Sequence, residues 1–106
     1  MIVQEDKMTS ITIVYWRDIP AQVIVGTGRK AAKMQLTERF EKAIDRCAMK
    51  INAKDSDAYL SEWRKETIGS VEGNPQEVVK AEAAKLEREY TKQILIALIG
   101  NDGKKL

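Results

Sequence analysis

Few residues in this chain are equipped for acid–base or nucleophilic chemistry. It has no histidine and one cysteine, Cys47. That removes the commonest general base and the commonest zinc ligand. Cys47 falls between Ile44 and Ile51 on an apolar helical stripe, where a free thiol behaves as a small buried hydrophobe. A nucleophilic thiolate needs a neighbouring base and an accessible, electropositive setting instead. One cysteine forms no internal disulfide, which fits a reducing compartment. The candidate carboxylates are Asp18, Asp45, Asp55 and Asp57. Asp18 reads as a turn residue and Asp45 as helix surface. Asp55-Ser56-Asp57 reads as a helix cap, because the remaining positions of a calcium loop are missing. The set implies no metal and no cofactor.

Two stretches suit binding better than catalysis. Val25-Gly26-Thr27-Gly28-Arg29-Lys30-Ala31 formally matches G-x-G-x-x-A. Backbone N–H groups at a helix start hold anions, and Arg29, Lys30 and Lys33 would add charge. A dinucleotide site also needs a βαβ unit with an acid after the next strand. No strand signal follows, so a strand-to-helix turn is the leading reading, with a small anion near Gly28-Arg29 as the lesser one. The second stretch is Trp16-Arg17-Asp18-Ile19-Pro20-Ala21-Gln22. Tryptophan and arginine are enriched at binding hot spots, so Trp16 at a bend suggests an interface. Trp63, on a helical stripe, reads as core. Nucleic-acid binding through Trp16, Arg17, Arg29 and Lys30 is disfavoured, since 18 basic and 16 acidic residues leave a net charge of only +2.

The elements that position these residues follow from periodicity. Ser10 to Trp16 alternates, with β-branched and aromatic residues on both faces, and predicts a strand. Arg17-Asp18-Ile19-Pro20 interrupts it, Gln22 to Val25 resumes, and Gly26-Thr27-Gly28 ends it. Two strands so joined predict an antiparallel hairpin. Helical composition begins at Arg29, and Lys30–Leu36 can form a separate turn. Phe40, Ala43, Ile44, Cys47, Ala48 and Ile51 then make one clean stripe, with Thr37 expected to cap the helix through its hydroxyl. Tyr59, Leu60, Trp63, Thr67, Ile68 and Val71 predict a helix over 57–71. Glu72-Gly73-Asn74-Pro75 stops it and starts the next, with Asn74 as cap. The last helix is predicted from Pro75 to about Ile99, with Gly100-Asn101 closing it.

The expected fold is α+β: an N-terminal antiparallel hairpin packed on three helices, ββααα, in two layers. At 106 residues, 43% hydrophobic and 32% charged, the chain fits one folded domain. Residues 1–9 are expected to be a flexible N-terminus, 10–100 the domain and 101–106 a polar tail, with Met8 a second candidate start. The apolar run Ile94–Ile99 is far shorter than the ~20 residues a bilayer takes, and the start does not resemble a signal peptide. A cytoplasmic protein without membrane contact is the expectation.

Several strings resemble the small virulence factor domain family. They are Ile13 through Val23 with its Trp-Arg-Asp-Ile-Pro-Ala-Gln core, Gly28-Arg29 with Lys33, Arg39-Phe40, Ala43-Ile44-Asp45-Arg46, Ala48-Met49, and Ala58 through Trp63. The resemblance covers about residues 10–66 and leaves out the last helix. It implies a domain that occurs alone in bacteria and also within conserved virulence factor C, beside a scaffold-type iron–sulfur domain and HEAT-like repeats. It also implies a genomic setting near folate- and corrinoid-linked methyl transfer, and no established activity. Thr37, where the family suggests proline, and Cys47, where it suggests a small residue such as alanine, depart from the pattern.

Two functions are then in play. The first is a non-catalytic binding or adaptor module. It would contact a protein partner through Trp16, Arg17, Asp18, Gln22, Gly28, Arg29 and Lys33. The second is a small subunit or ligand-binding protein in folate- or corrinoid-linked methyl transfer, with Arg17, Asp18 and Lys33 around an anionic ligand. A homodimer through Ile94–Ile99 is a side possibility.

Overall fold

The computed structural model of the chain describes residues 8–53 and 56–105. Four strands build one antiparallel sheet: β1 (Met8–Trp16), β2 (Ile19–Val25), β3 (Ala32–Gln35) and β4 (Trp63–Glu72), in spatial order β3-β2-β1-β4. Helices α1 (Glu38–Lys50), α2 (Asp57–Ser61), α3 (Pro75–Glu89) and α4 (Lys92–Gly100) complete the α+β fold.

The predicted hairpin forms, and it forms the centre of the sheet. Ile11 pairs with Val25 and Ile13 with Val23. These four side chains are buried and share one face. Across that face lies α3, which buries Val79, Ala83 and Leu86 against β2 and β3. The opposite face carries Thr12, Val14, Gln22 and Ile24, all half-buried, as strand alternation requires. On it the Thr12 and Thr67 hydroxyls meet at 3.0 Å.

Helix α1 repeats its predicted stripe, burying Phe40, Ala43, Ile44, Cys47 and Ala48. Thr37 precedes it as cap residue, yet its hydroxyl makes no capping bond. The hydroxyl and the backbone N–H of Thr37 both donate to Glu87 of α3, at 2.9 and 2.7 Å. Asn74 caps α3 as expected, accepting from the N–H groups of Gln76 and Glu77, with Pro75 at the first turn.

Four expectations are corrected. Of the helix predicted over 57–71, only α2 forms, and the remainder is β4, paired with β1 from Met8 to Trp16. As an outer strand with most side chains exposed, β4 has no hydrophobic alternation to announce it. Its β-branched Thr67, Ile68 and Val71 suit an extended chain. Next, Lys30–Leu36 is not helical. A short 3-10 turn, Gly28–Lys30, leads into β3, which pairs with β2. The hairpin with three helices thus becomes four strands with four helices. Third, the last helix is broken between Glu89 and Lys92, because Thr91 caps a new helix by accepting from the Ile94 N–H. In α4, Leu95 and Leu98 are buried, and Ile94 and Ala97 are exposed. Finally, Met8 and Thr9 belong to β1, paired with Glu72 and Val71. The expected flexible start at 1–7 lies outside the described residues.

Candidate functional site

The Trp16–Asp18 stretch closes the hairpin with a two-residue turn, Arg17-Asp18, between the paired Trp16 and Ile19. Arg17 sits at φ +54°, a left-handed conformation that costs a side-chain-bearing residue on the order of 1 kcal/mol and needs support. The support comes from three directions. The Arg17 N–H donates to the Glu62 carbonyl at 3.0 Å. Its guanidinium donates to the Asp102 carbonyl at 2.7 Å and pairs with the Glu62 carboxylate at 3.2 Å. Arg64 donates to the Arg17 carbonyl and to the Asp18 carboxylate. The C-terminal segment closes the ring. Asp18 N–H donates to the Gly103 carbonyl at 2.8 Å, and Lys105 N–H donates to the Asp18 carboxylate at 2.7 Å. The expected polar tail is therefore docked through Lys105, with Gly103 buried.

Trp16 is fully buried, at 0% exposure. Its alternation matches Thr12 and Val14, but α2 folds over that end of the sheet. The Trp16 ring lies 5.8 Å from that of Tyr59, and its Nε1–H donates to the Tyr59 carbonyl at 2.9 Å. Trp16 therefore offers no surface to a partner. Arg17 and Asp18, at 16% and 26% side-chain exposure, spend most of their polar atoms within the chain, although the buried Arg17 Nε has no partner among the described residues. The bend expected to be a contact surface is a structural clasp.

The other predicted residues lie elsewhere. Gly28 and Lys33 come together with Lys65 around a shallow depression of about 280 Å³. Arg29 stands exposed on the adjoining turn. That turn is three residues long and runs strand to strand, so no helix start is presented to a phosphate. Gln22 sits between the two groups, opposite Val14 and Gln35. Lys33 pairs with Ile24, near the far end of β2 from Asp18, roughly 15–20 Å away at ~3.3 Å per residue. Arg17, Asp18 and Lys33 do not converge on one ligand.

Cys47 is buried, and desolvation raises its thiol pKa, with Arg17 opposing. It stays a neutral thiol at physiological pH. Among the described residues no group of three or more His, Cys, Asp or Glu is placed to hold a metal. No helix among them is long and apolar enough to cross a membrane.

A different surface has the geometry of a receptor. Helices α1 and α4 pack side by side, leaving a groove of about 310 Å³. Its apolar lining includes Leu95, Ile96 and Ile99 of α4 and Ala43 of α1. Arg39, Lys42 and Arg46 of α1 and Lys92 of α4 form its rim. Arg39 is anchored: it pairs with Glu87 at 2.7 Å, donates to the Glu87 and Tyr90 carbonyls, and lies over the Phe40 ring.

A protein-family model described as Virulence factor matches residues 14–99. The chain belongs to the virulence factor family. The match runs from the middle of β1 nearly to the end of α4, so it includes α3 and α4, beyond the 10–66 of the sequence resemblance. No curated protein and no solved structure matches the chain.

In this virulence factor domain, sequence reasoning reached Ile94–Ile99 only as a side possibility for a homodimer and missed the cationic groove residues Arg39, Lys42, Arg46 and Lys92. The signals were present: Arg39, Lys42 and Arg46 recur at one helical face, and Lys92-Gln93-Ile94-Leu95-Ile96-Ala97-Leu98-Ile99 has one charge in eight residues. Chemically, an apolar floor with a cationic rim favours a ligand that is itself apolar on one side and anionic at its edges.

Proposed function

We propose that this virulence factor domain is a non-catalytic binding module that recognises a protein partner through α4, not through the hairpin turn. The observation that carries this reading is the exposed apolar face of α4. Ile94 and Ile96 are 44% and 54% exposed on a nine-residue helix with one charged residue. A helix that is apolar on all sides is stable where all sides are covered, and here the described residues bury only the side with Leu95 and Leu98. The reactive groups of the sequence support the same reading, since Cys47 is packed inside and Arg17 and Asp18 are spent on the clasp.

The test is capture from host lysate on immobilised protein, read by mass spectrometry. The wild type retains a stoichiometric partner, and a double variant, Ile94→Ser with Ile96→Ser, loses it while keeping its melting temperature. Ile68→Ser, an exchange at a comparably exposed residue on β4, retains the partner. Identical capture by wild type and the double variant refutes the reading.

A further inference from the structure

We propose that the groove between α1 and α4 receives an acidic amphipathic helix from a different protein. The proposal rests on the binding-module reading and adds the chemistry of the partner. Two facing stripes define the groove. On α1, Arg39, Lys42 and Arg46 recur at i, i+3 and i+7; on α4, Lys92, Leu95, Ile96 and Ile99 recur at i, i+3, i+4 and i+7. Each spacing places its residues on one helical face. Helix-in-groove recognition uses this arrangement, sinking apolar anchors between two helices while charges meet the rim.

The charge pattern selects the occupant. Lys42 reaches Glu38 at 3.7 Å, with both side chains more than 70% exposed, a pairing that contributes little. Arg46 and Lys92 make no ion pair among the described residues. Lys92 also stands in the first turn of α4, which contains no acidic residue and where the helix dipole disfavours a cation. An acidic ligand relieves both conditions at once. A second copy of this chain would bring the same four cations to the seam, so like charges oppose the homodimer expected through Ile94–Ile99. A flat anionic membrane does not reach into a concave floor, whereas the side chains of a helix do.

The test uses two labelled peptides with leucines at i, i+3, i+4 and i+7. One carries glutamates at its other positions and one carries lysines. Fluorescence anisotropy with the full chain is expected to show the acidic peptide binding roughly tenfold tighter or better, with the preference shrinking as salt rises. Arg46→Glu combined with Lys92→Glu abolishes the preference, and Ile96→Asp weakens the acidic peptide roughly tenfold, with melting curves kept. Equal affinity for both peptides, no binding, or a preference that survives the charge reversals overturns the proposal. So does tighter binding to phosphatidylglycerol vesicles than to the acidic peptide, or a concentration-dependent dimer dispersed by Ile96→Asp. If the peptides fail while the α4 serine variants still lose the captured partner, the groove proposal falls and the binding-module reading stands. If both fail, both fall.

Discussion

The hairpin turn and the α4 face carry the same classes of side chain and use them in opposite ways. At the turn, a tryptophan, two arginines and an aspartate bond inside the chain, to one another, to Tyr59, to Glu62 and to the segment from Asp102 to Lys105, with the buried Arg17 Nε left over. On α4 and its α1 neighbour, Ile94 and Ile96 stand exposed, and Arg46 and Lys92 make no ion pair among the described residues. Under the proposed function, the unusual string at the turn serves the fold and the partner sits elsewhere. What separates a clasp from a contact surface is whether the polar atoms already have partners, and that is a property of the fold.

The largest effect that sharpens this contrast is expected from Trp16→Ala. Removing a fully buried tryptophan opens a large cavity and should cost about 3–5 kcal/mol, read as a lower urea midpoint. A change under about 1 kcal/mol would place Trp16 outside the core and break the comparison.

Next comes Gly103→Ala. Gly103 has φ +83°, and an added Cβ would lie 3.1 Å from the Cys47 sulfur and 3.3 Å from Arg17 Cδ. About 1–3 kcal/mol is expected. Arg17→Ala should cost a similar amount, since it strips a charged donor from the Asp102 carbonyl. Because the two sites touch, the double variant should lose less than the sum. Strict additivity in chemical denaturation would mean that the C-terminal segment is not clasped by the turn.

A smaller effect is expected with pH. The Lys50 ammonium hydrogen-bonds the Asp102 carboxylate at 2.6 Å and, with its charge, holds that carboxyl below its ordinary 3.8. A depressed carboxyl binds fewer protons folded than unfolded, so the stability it adds is complete above the ordinary value. It is lost as pH falls through the lower folded value. Denaturation of Lys50→Met should show a shallower loss than wild type in that acid window, and identical acid limbs would discount the pair.

The smallest effect on stability belongs to the other region. Ile96→Ser removes an exposed side chain and should shift stability by no more than about 0.5 kcal/mol. If it unfolds the domain, α4 is core and the two regions are alike.

The parts of this fold visible in the sequence are those with one buried face. The alternation of Ile11, Ile13 and Tyr15, the α1 stripe from Phe40 to Ala48, and the Asn74-Pro75 boundary all show in the structure. Strand β4 did not announce itself, because an outer strand gains its place through backbone pairing with β1 and needs no apolar period. Its Tyr59–Val71 neighbourhood fits a helical spacing by coincidence, and Gly69 with three β-branched neighbours was the available counter-signal. The short β3 is built of Ala32, Lys33, Met34 and Gln35, all at ease in helices, and becomes a strand only because β2 is beside it. The docking of Asp102–Lys105 runs largely through backbone atoms, to which side-chain patterning is blind. The seven residues chosen from sequence as a contact surface do not share one location. The groove residues sit in two helices whose approach no local pattern encodes, although Thr91, the cap that creates α4, was legible as a helix start.

The clasp has a consequence for the birth of the molecule. Arg17 and Asp18 are translated before their partners Asp102 and Lys105, which follow 85 and 87 positions later. Until those residues are translated, the Arg17 turn lacks its Asp102 partner, and the hairpin lacks its final lock. Domain closure is in that sense a late event, timed by elongation at about 5–20 residues per second. A chain cut short within α4 ends without its latch, because Asp102, Gly103 and Lys105 are missing from it.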